Sequence, residues 1–316
     1  YQDVSTVPTQ GLLSLLWDVP SEQHRQIIAS LKNRSLVEYH KGEYCLHPVI
    51  RAEAISRLRN GEDWELTNRK AAEFWTDSVQ KIETFQDAVQ ALEAYYHYIE
   101  IHQFELAGKL IVKSRNNQWG QFLSLGSTLY RMGLIQPVLD AIIQVINHID
   151  NDTQISELYN ILGDLYWISG KIQAAIAYQE KTISFVTLAL ESVSNHEKDK
   201  QKFYYYRMLE VDSLLSIGLY KIDLWELEES AKLFQQVIHL AKNTAHHPWA
   251  EKAAVCLSLV DSYLKKYPSA YLLADECYKN ITSEQNIDKT ARFTYFIQIL
   301  GQTYVNLSDF GKAKAM

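Results

Sequence analysis

The sequence predicts a mainly α chain in three parts: a small helix–hairpin–helix unit, an arm of helical hairpins, and a superhelix of stacked hairpins. Three observations lead there. Four segments in the second half repeat one pattern of small and aromatic residues at helical spacing. Only 12 Gly and 6 Pro occur in 316 residues, too few for a loop-rich β protein. The β-prone stretch SLVEYHKGEYCLH is short and flanked on both sides by helical patterns.

Residues 1–60 form the first part. LLSLLWDV, Leu12–Val19, reads as a short helix, and Ser21 is a suitable N-cap for a second one in which Ile27, Ile28 and Leu31 share a face. Two short strands follow around His40-Lys41-Gly42. Leu36, Val37, Tyr39, Tyr44 and Leu46 supply the β-prone or apolar positions, and Gly42 the turn. A helix starts at Pro48, where the missing N–H is not needed. This order is a compact winged-helix arrangement, a small winged-helix domain.

Residues 61–150 read as helical throughout, a linker or arm. Trp64, Ala71, Ala72, Trp75 and Val79 fall on one side of the first helix. Two hairpins follow, one turning at His102-Gln103 and one between Gly133 and Pro137. Asp150–Thr153, DNDT, is the softest boundary.

Residues 151–316 carry the repeats: Leu158–Ile183, Leu214–Ile238, Cys256–Asn280 and Ile297–Met316. A small or slim residue stands in each first helix (Gly163, Gly218, Val260, Gly301) and a small one in each second helix (Ala175, Ser230, Ala270, Ala313). Tyr166, Tyr220, Tyr263 and Tyr304 lie between them, Tyr220 one place off. Small residues let two antiparallel helices approach, and the aromatic fills the wedge beside them. No such hairpin buries its face alone, so neighbours must stack. The last repeat reads as truncated. With no initiator Met and an end inside a helical pattern, the chain reads as a fragment of something longer.

The totals exclude several function classes. Hydrophobic residues are 47%, charged residues 22% and the net charge is −7, an ordinary globular balance with no footprint for nucleic acid. Residues 1–60 hold seven Lys/Arg against six Asp/Glu, too few cations for a DNA-reading winged helix. Cys45, Cys256 and Cys277 fit neither a disulfide framework nor a zinc pattern, so a reducing, cytoplasmic setting is expected. No run approaches membrane-spanning length. The Gly-rich phosphate loop, HExxH, GxSxG and CxxC motifs are all missing, so no enzyme, metal site or cofactor is expected within these residues. His246-His247, before Pro248, reads as a solvated loop.

The repeats resemble the tetratricopeptide repeat (TPR), with LGDLY…SGKIQAAIAY and LGQTY…LSDFGKA the best matches. Trp225 replaces the usual turn glycine, and Lys266-Tyr267-Pro268 replaces two turn residues of the third copy. The small residues are 55, 42 and 41 apart, beyond the usual period of about 34. The helices should therefore be long, as in the extended repeats of kinesin light chains. The resemblance implies a TPR-like α-solenoid whose first helices line a concave face for a protein or peptide. That face would include Glu157, Asn160, Asp164, Trp167, Leu215, Leu219, Asp223, Leu257, Asp261, Leu264, Lys265, Tyr295, Gln298, Gln302 and Asn306. It lacks the Lys/Asn set with which chaperone-binding repeats clamp a carboxylate; a helical or basic-apolar segment suits it better.

Winged helix, helical linker and TPR array in that order resemble the C-terminal half of STAND-class (NB-ARC) signal-transduction NTPases, common in cyanobacteria and other bacteria. SLKNRSLVEYHKGEYCLHPVIRAEAISRL carries the likeness, with Leu46-His47 at the place of the family's Met/Leu-His pair. The resemblance implies that His47 contacts the β-phosphate of ADP bound in an adjoining nucleotide-binding domain and so holds the protein closed. The Walker motifs are not in this chain, so ADP or ATP would belong to that other domain. The expected role is that of a regulatory and sensor portion, monomeric by itself. The repeats would bind a protein trigger, and the NTPase domain would be an intramolecular partner. The rival readings are a stand-alone TPR adaptor or scaffold, and a transcription regulator with a DNA-binding winged helix.

Overall fold

A computed structural model describes residues 6–8, 21–40, 43–59, 61–192, 199–282 and 294–316. The chain is mainly helical and falls into two compact units, Tyr1–Asp150 and Asn151–Met316.

In the first unit, helix α1 (Ser21–Asn33) begins at the predicted serine. Strands β2 (Glu38–His40) and β3 (Glu43–Cys45) pair antiparallel with Tyr39 opposite Tyr44, as the alternation requires. A strand the sequence did not announce, β1 (Thr6–Pro8), adds to the far edge, giving the order β1-β3-β2. The expected helix over Leu12–Val19 and the turn residue Gly42 lie outside the described residues. Helix α2 (Pro48–Arg59) follows at the predicted proline and buries none of its residues; Val49 is 71% exposed.

The arm is less purely helical than its sequence suggests. Helix α3 (Asp63–Ser78) buries Ala71, Ala72 and Trp75, and Val79 is buried just past its end. Helix α4 (Phe85–Glu100) starts with a capping box, in which the Thr84 hydroxyl accepts from the Asp87 amide and the Asp87 carboxylate from the Thr84 amide. Helix α5 (Phe104–Val112) packs back after a turn at His102 (φ +54°). A small sheet then corrects the all-helical expectation: β4 (Lys81–Ile82) pairs parallel with β5 (Ser114–Asn117), which pairs antiparallel with β6 (Phe122–Ser124). The segment KSRNNQWGQFLS, residues 113–124, lies inside the stretch whose sequence reads as helical. Polar Asn116-Asn117 and Gly120 at φ +66° instead make a tight β-turn. Helices α6 (Leu125–Arg131) and α7 (Ile135–Ile146) form the second hairpin, turning at Gly133 (φ +93°).

The second unit consists of four antiparallel helical hairpins: α8 (Asp152–Ile168) with α9 (Ile172–Ser192), α10 (Lys200–Asp223) with α11 (Leu227–Ala241), α12 (His247–Tyr263) with α13 (Tyr267–Thr282), and α14 (Thr294–Asn306) with α15 (Phe310–Ala315). The first four of these helices run from 15 to 24 residues, which accounts for the wide repeat spacing. Leu214, Phe234, Val237, Cys256, Val260, Leu300 and Tyr304 belong to one continuous buried core shared by the last three hairpins.

Candidate functional site

All four hairpins close by one device. The turn residues Gly170, Trp225, Lys265 and Ser308 have φ of +74°, +61°, +60° and +61°. The amide after each one bonds back across the turn, Lys171 to Tyr166 O, Glu226 to Lys221 O, Lys266 to Asp261 O and Asp309 to Tyr304 O, at 2.8–2.9 Å. This is the Schellman closure of a helix C-terminus. The turns fix the true register. Counting seven back gives Gly163, Gly218, Ser258 and Gly301, so the small residue of the third hairpin is Ser258, two places before the expected Val260.

The small residues are where the helices touch. A Cβ on Gly218 would lie 2.5 Å from Phe234 Cε1, and one on Gly163 would collide with the Gln179 side chain. Phe234 and Gln179 each stand four residues after the small residue of the second helix, Ser230 or Ala175. In the third hairpin both partners are small and fully buried, Ser258 and Ala274. Ser230 completes the contact by donating its hydroxyl to Gly218 O at 2.8 Å.

The register also corrects part of the predicted inner face. Asp261 is 4% exposed, takes a hydrogen bond from Ser269 at 2.7 Å and sits in the wedge that Tyr166 and Tyr304 fill elsewhere. Lys265 is the turn residue of its hairpin, not part of a helix face. Leu215 and Leu257 are buried, and Leu219 is half-buried against the core.

Most of the remaining polar residues join neighbouring inner helices. Asn160 donates to Asp212 at 3.2 Å, to Ser213 at 3.3 Å and to Gln179 at 3.2 Å. Asp212 accepts on its other oxygen from Trp249 Nε1 at 2.9 Å, so one carboxylate ties α8 and α12 to α10. Asp164 accepts from the Tyr220 hydroxyl at 3.0 Å, and Trp167 Nε1 donates to Asp223 at 2.6 Å. Asn306 donates to Ser262 at 2.8 Å and accepts from Gln302 at 3.0 Å. Gln298, Gln302 and Tyr295 are exposed on α14. Burial pushes the half-buried Glu157 carboxyl up to about 7, against the smaller opposing pull of the nearby Tyr205 hydroxyl. The Asp212–Trp249 rung had no sequence signal, since the two stand 37 apart on helices whose register only the turns reveal.

Trp225 is the departure with the most physical content. A left-handed backbone costs a non-glycine residue about 1–2 kcal/mol, and Gly170 fills the equivalent turn without that cost. Yet the Trp225 side chain is 64% exposed, touching Tyr263 at a centroid distance of 5.0 Å and an interplanar angle of 49°. The strain is not offset by burial.

His246 and His97 lie in packed surroundings. His246 is buried against Tyr204 and Trp249 at the start of α12, which corrects the solvated-loop reading for that residue, whereas His247 is exposed as expected. His97 faces Asn68 at 2.8 Å, and burial pushes it down to about 3, so it is neutral. His47 is exposed at the start of α2, where its Nδ1 accepts from the Val49 amide at 3.3 Å. A neutral ring that accepts at Nδ1 carries its proton on Nε2. Among the described residues no group of three or more His, Cys, Asp or Glu could hold a metal ion, and no helix is long and apolar enough to cross a membrane. Cys256 and Cys277 are buried free thiols, and burial pushes the Cys277 thiol up to about 12. A groove of about 570 Å³ in the first unit is lined by Arg59, Trp64, Glu65, Glu100 and His102. Its charges are already paired, Arg59 with Glu100 at 2.6 Å and Glu65 with Arg69 at 2.8 Å.

The tetratricopeptide repeat family matches residues 156–185, from within α8 to within α9. The first hairpin is a tetratricopeptide repeat. Aspartyl phosphate phosphatase F from Bacillus subtilis is similar at 14% identity, covering 99% of this chain and 84% of that one with a TM-score of 0.50. That likeness is one of fold. BtubC (BKLC) from P. vanneervenii is similar at 12% identity over 78% of this chain and 87% of that one, with a TM-score of 0.48. A STAND protein with a tetratricopeptide repeat sensor, from Pyrococcus horikoshii, is similar at 13% identity over 95% of this chain and 51% of that one, with a TM-score of 0.34. No curated protein matches the chain.

Proposed function

We propose that this chain is the regulatory and sensor portion of a STAND-class signal-transduction NTPase. The N-terminal winged helix couples to a nucleotide-binding domain elsewhere in the protein, and the tetratricopeptide array takes up a protein trigger. The observation that carries this reading is the geometry of His47. Its Nδ1 caps α2 through the Val49 amide, and the ring is exposed at the helix N-terminus. The neutral ring therefore offers its Nε2–H to an anion beside a helix end that already favours negative charge. A phosphate oxygen of a bound nucleotide is an anion of this kind. His47 would hold the phosphate and thereby the closed arrangement, and a trigger that binds the open arrangement better would release it.

The test has two parts. The gene should encode a GK[ST] phosphate loop before Tyr1. In the full-length protein, His47→Ala should speed ADP release about tenfold, the worth of one charge-assisted hydrogen bond. An upstream sequence without that loop, or ADP release unchanged in the variant, refutes the reading.

A further inference from the structure

We propose that the turn between α10 and α11, built around Trp225, is a docking point for a basic partner segment, whose arginine or lysine side chain lies against the Trp225 and Tyr263 rings. The proposal rests on reading the array as a partner-binding module, and it names the partner's chemistry and where it is held.

Three observations meet at this turn. The first is the misplaced tryptophan. At φ +61° a glycine would be the unstrained choice, and the ring is 64% exposed, so neither backbone nor core explains its presence. Exposed strain of this kind is where binding sites are found. The second is the ring pair. Trp225 and Tyr263 stand 5.0 Å apart, tilted by 49°, with Trp225 exposed and Tyr263 half-buried against the core. A cation is attracted to such faces, and tryptophan attracts it best. The third is charge. The stretch Asp223–Glu229 holds Asp223, Glu226, Glu228 and Glu229. Lys221 pairs with Glu226 and with Glu229, and Trp167 takes one oxygen of Asp223. Asp223 and Glu228 are exposed and stand within three residues of Trp225 in the chain. The next turn is basic, with Lys265 and Lys266, so the partner's cation belongs on the Asp223 side.

The neighbouring hairpins give a contrast. Gly170 at the first turn presents no side chain, and Lys265 and Ser308, which share the left-handed φ of Trp225, present no ring, so the exposed ring and not the backbone sets this turn apart. Trp225 is therefore a local addition rather than a feature of the repeat. A planar guanidinium both stacks on an indole and pairs with a carboxylate, so arginine suits the site better than lysine.

The test uses the whole 316-residue chain and two short fluorescein-labelled peptides, one alternating arginine with leucine and one alternating glutamate with leucine, followed by anisotropy at low and high salt. The arginine peptide should bind, and salt should weaken it. Trp225→Gly is the informative variant, because glycine is the residue this backbone prefers. Its melting temperature should stay level or rise while its affinity falls at least about tenfold, as for a central tryptophan anchor. Asp223→Asn should bind several-fold more weakly. If the glutamate peptide binds as well as the arginine peptide, or either variant binds as the wild type does, the proposal fails. Nucleotide release governed by His47 is a separate readout, so failure here and failure of the sensor reading can be told apart.

Discussion

Glu157 should make the array more stable in acid than at neutral pH. Its carboxyl sits half-buried on the inner face of α8, and burial raises it from 4.5 to about 7. A group whose pKa rises on folding binds its proton more tightly in the folded chain. Stability is then greatest below about 4.5 and declines as pH rises to about 7, above which the charged carboxylate must be kept in a poorly hydrated place. The difference corresponds to at most about 3 kcal/mol, and to about 2 kcal/mol once the water that still reaches the group is allowed for. Glu157→Gln keeps the size of the side chain and removes the charge. Thermal unfolding followed by circular dichroism should show the variant about 2 kcal/mol more stable than wild type at pH 8, some 4–8 °C for a unit of this size. At pH 4 the two should melt together. An equal difference at both pH values, or a less stable variant at pH 8, would refute the reasoning.

Five further substitutions test the packing, the capping and the polar contacts. Gly218→Ala should lose about 1–3 kcal/mol in a urea melt, because its Cβ would meet the fully buried Phe234 ring. Gly133→Ala has open space around it and should lose only about 1 kcal/mol, from its φ of +93° alone. Thr84→Ala should lose about 1 kcal/mol by removing the cap of α4. Although burial opposes it, the amides of Thr84 and Glu83 hold the Asp87 carboxyl below its ordinary value, so this cap is at full strength above the ordinary carboxylate range and weakens as pH falls through Asp87's own lowered value. Asn160→Ala leaves the acceptors on Asp212 and Ser213 without their donor and should lose about 1–2 kcal/mol, whereas Gln298→Ala should stay within about 0.5 kcal/mol of wild type.

What the sequence made legible was set by local chemistry. Ser21 and Pro48 mark helix starts because capping and proline geometry act within one turn, and both helices begin there. Gly163 and Gly218 were readable because a missing side chain at helical spacing implies contact, and Gln179 and Phe234 fill the space. The third hairpin misled because no glycine marks its first helix, where Ser258 stands in the place of Gly163, Gly218 and Gly301. With Lys265 carrying the left-handed bend, Val260 and Asp261 looked like the small residue and the lining residue, when Ser258 and a buried wedge were the facts. The β4–β6 sheet was missed for a different reason. Its pairings join Lys81 to Asn116, distant in sequence, and two- to four-residue strands leave no periodicity to detect.

The first helices of the hairpins show why position on a helix and availability to a partner are separate properties. Asn160, Asp164, Trp167 and Asn306 would each be chosen by position as contacts, and each already holds a neighbouring inner helix. Their hydrogen bonds replace water with protein, so a ligand approaching them must first break a satisfied pair. The turn edge has no such obligation. A turn needs only its backbone bonds, and those at Glu226 and Lys266 are made by the main chain, whatever side chain the turn residue carries. Side chains at those positions can change without loosening the stack, so selection for a partner can act there at little cost to folding. Trp225 is where this chain has used that freedom, accepting a strained backbone to present a ring that the core does not use.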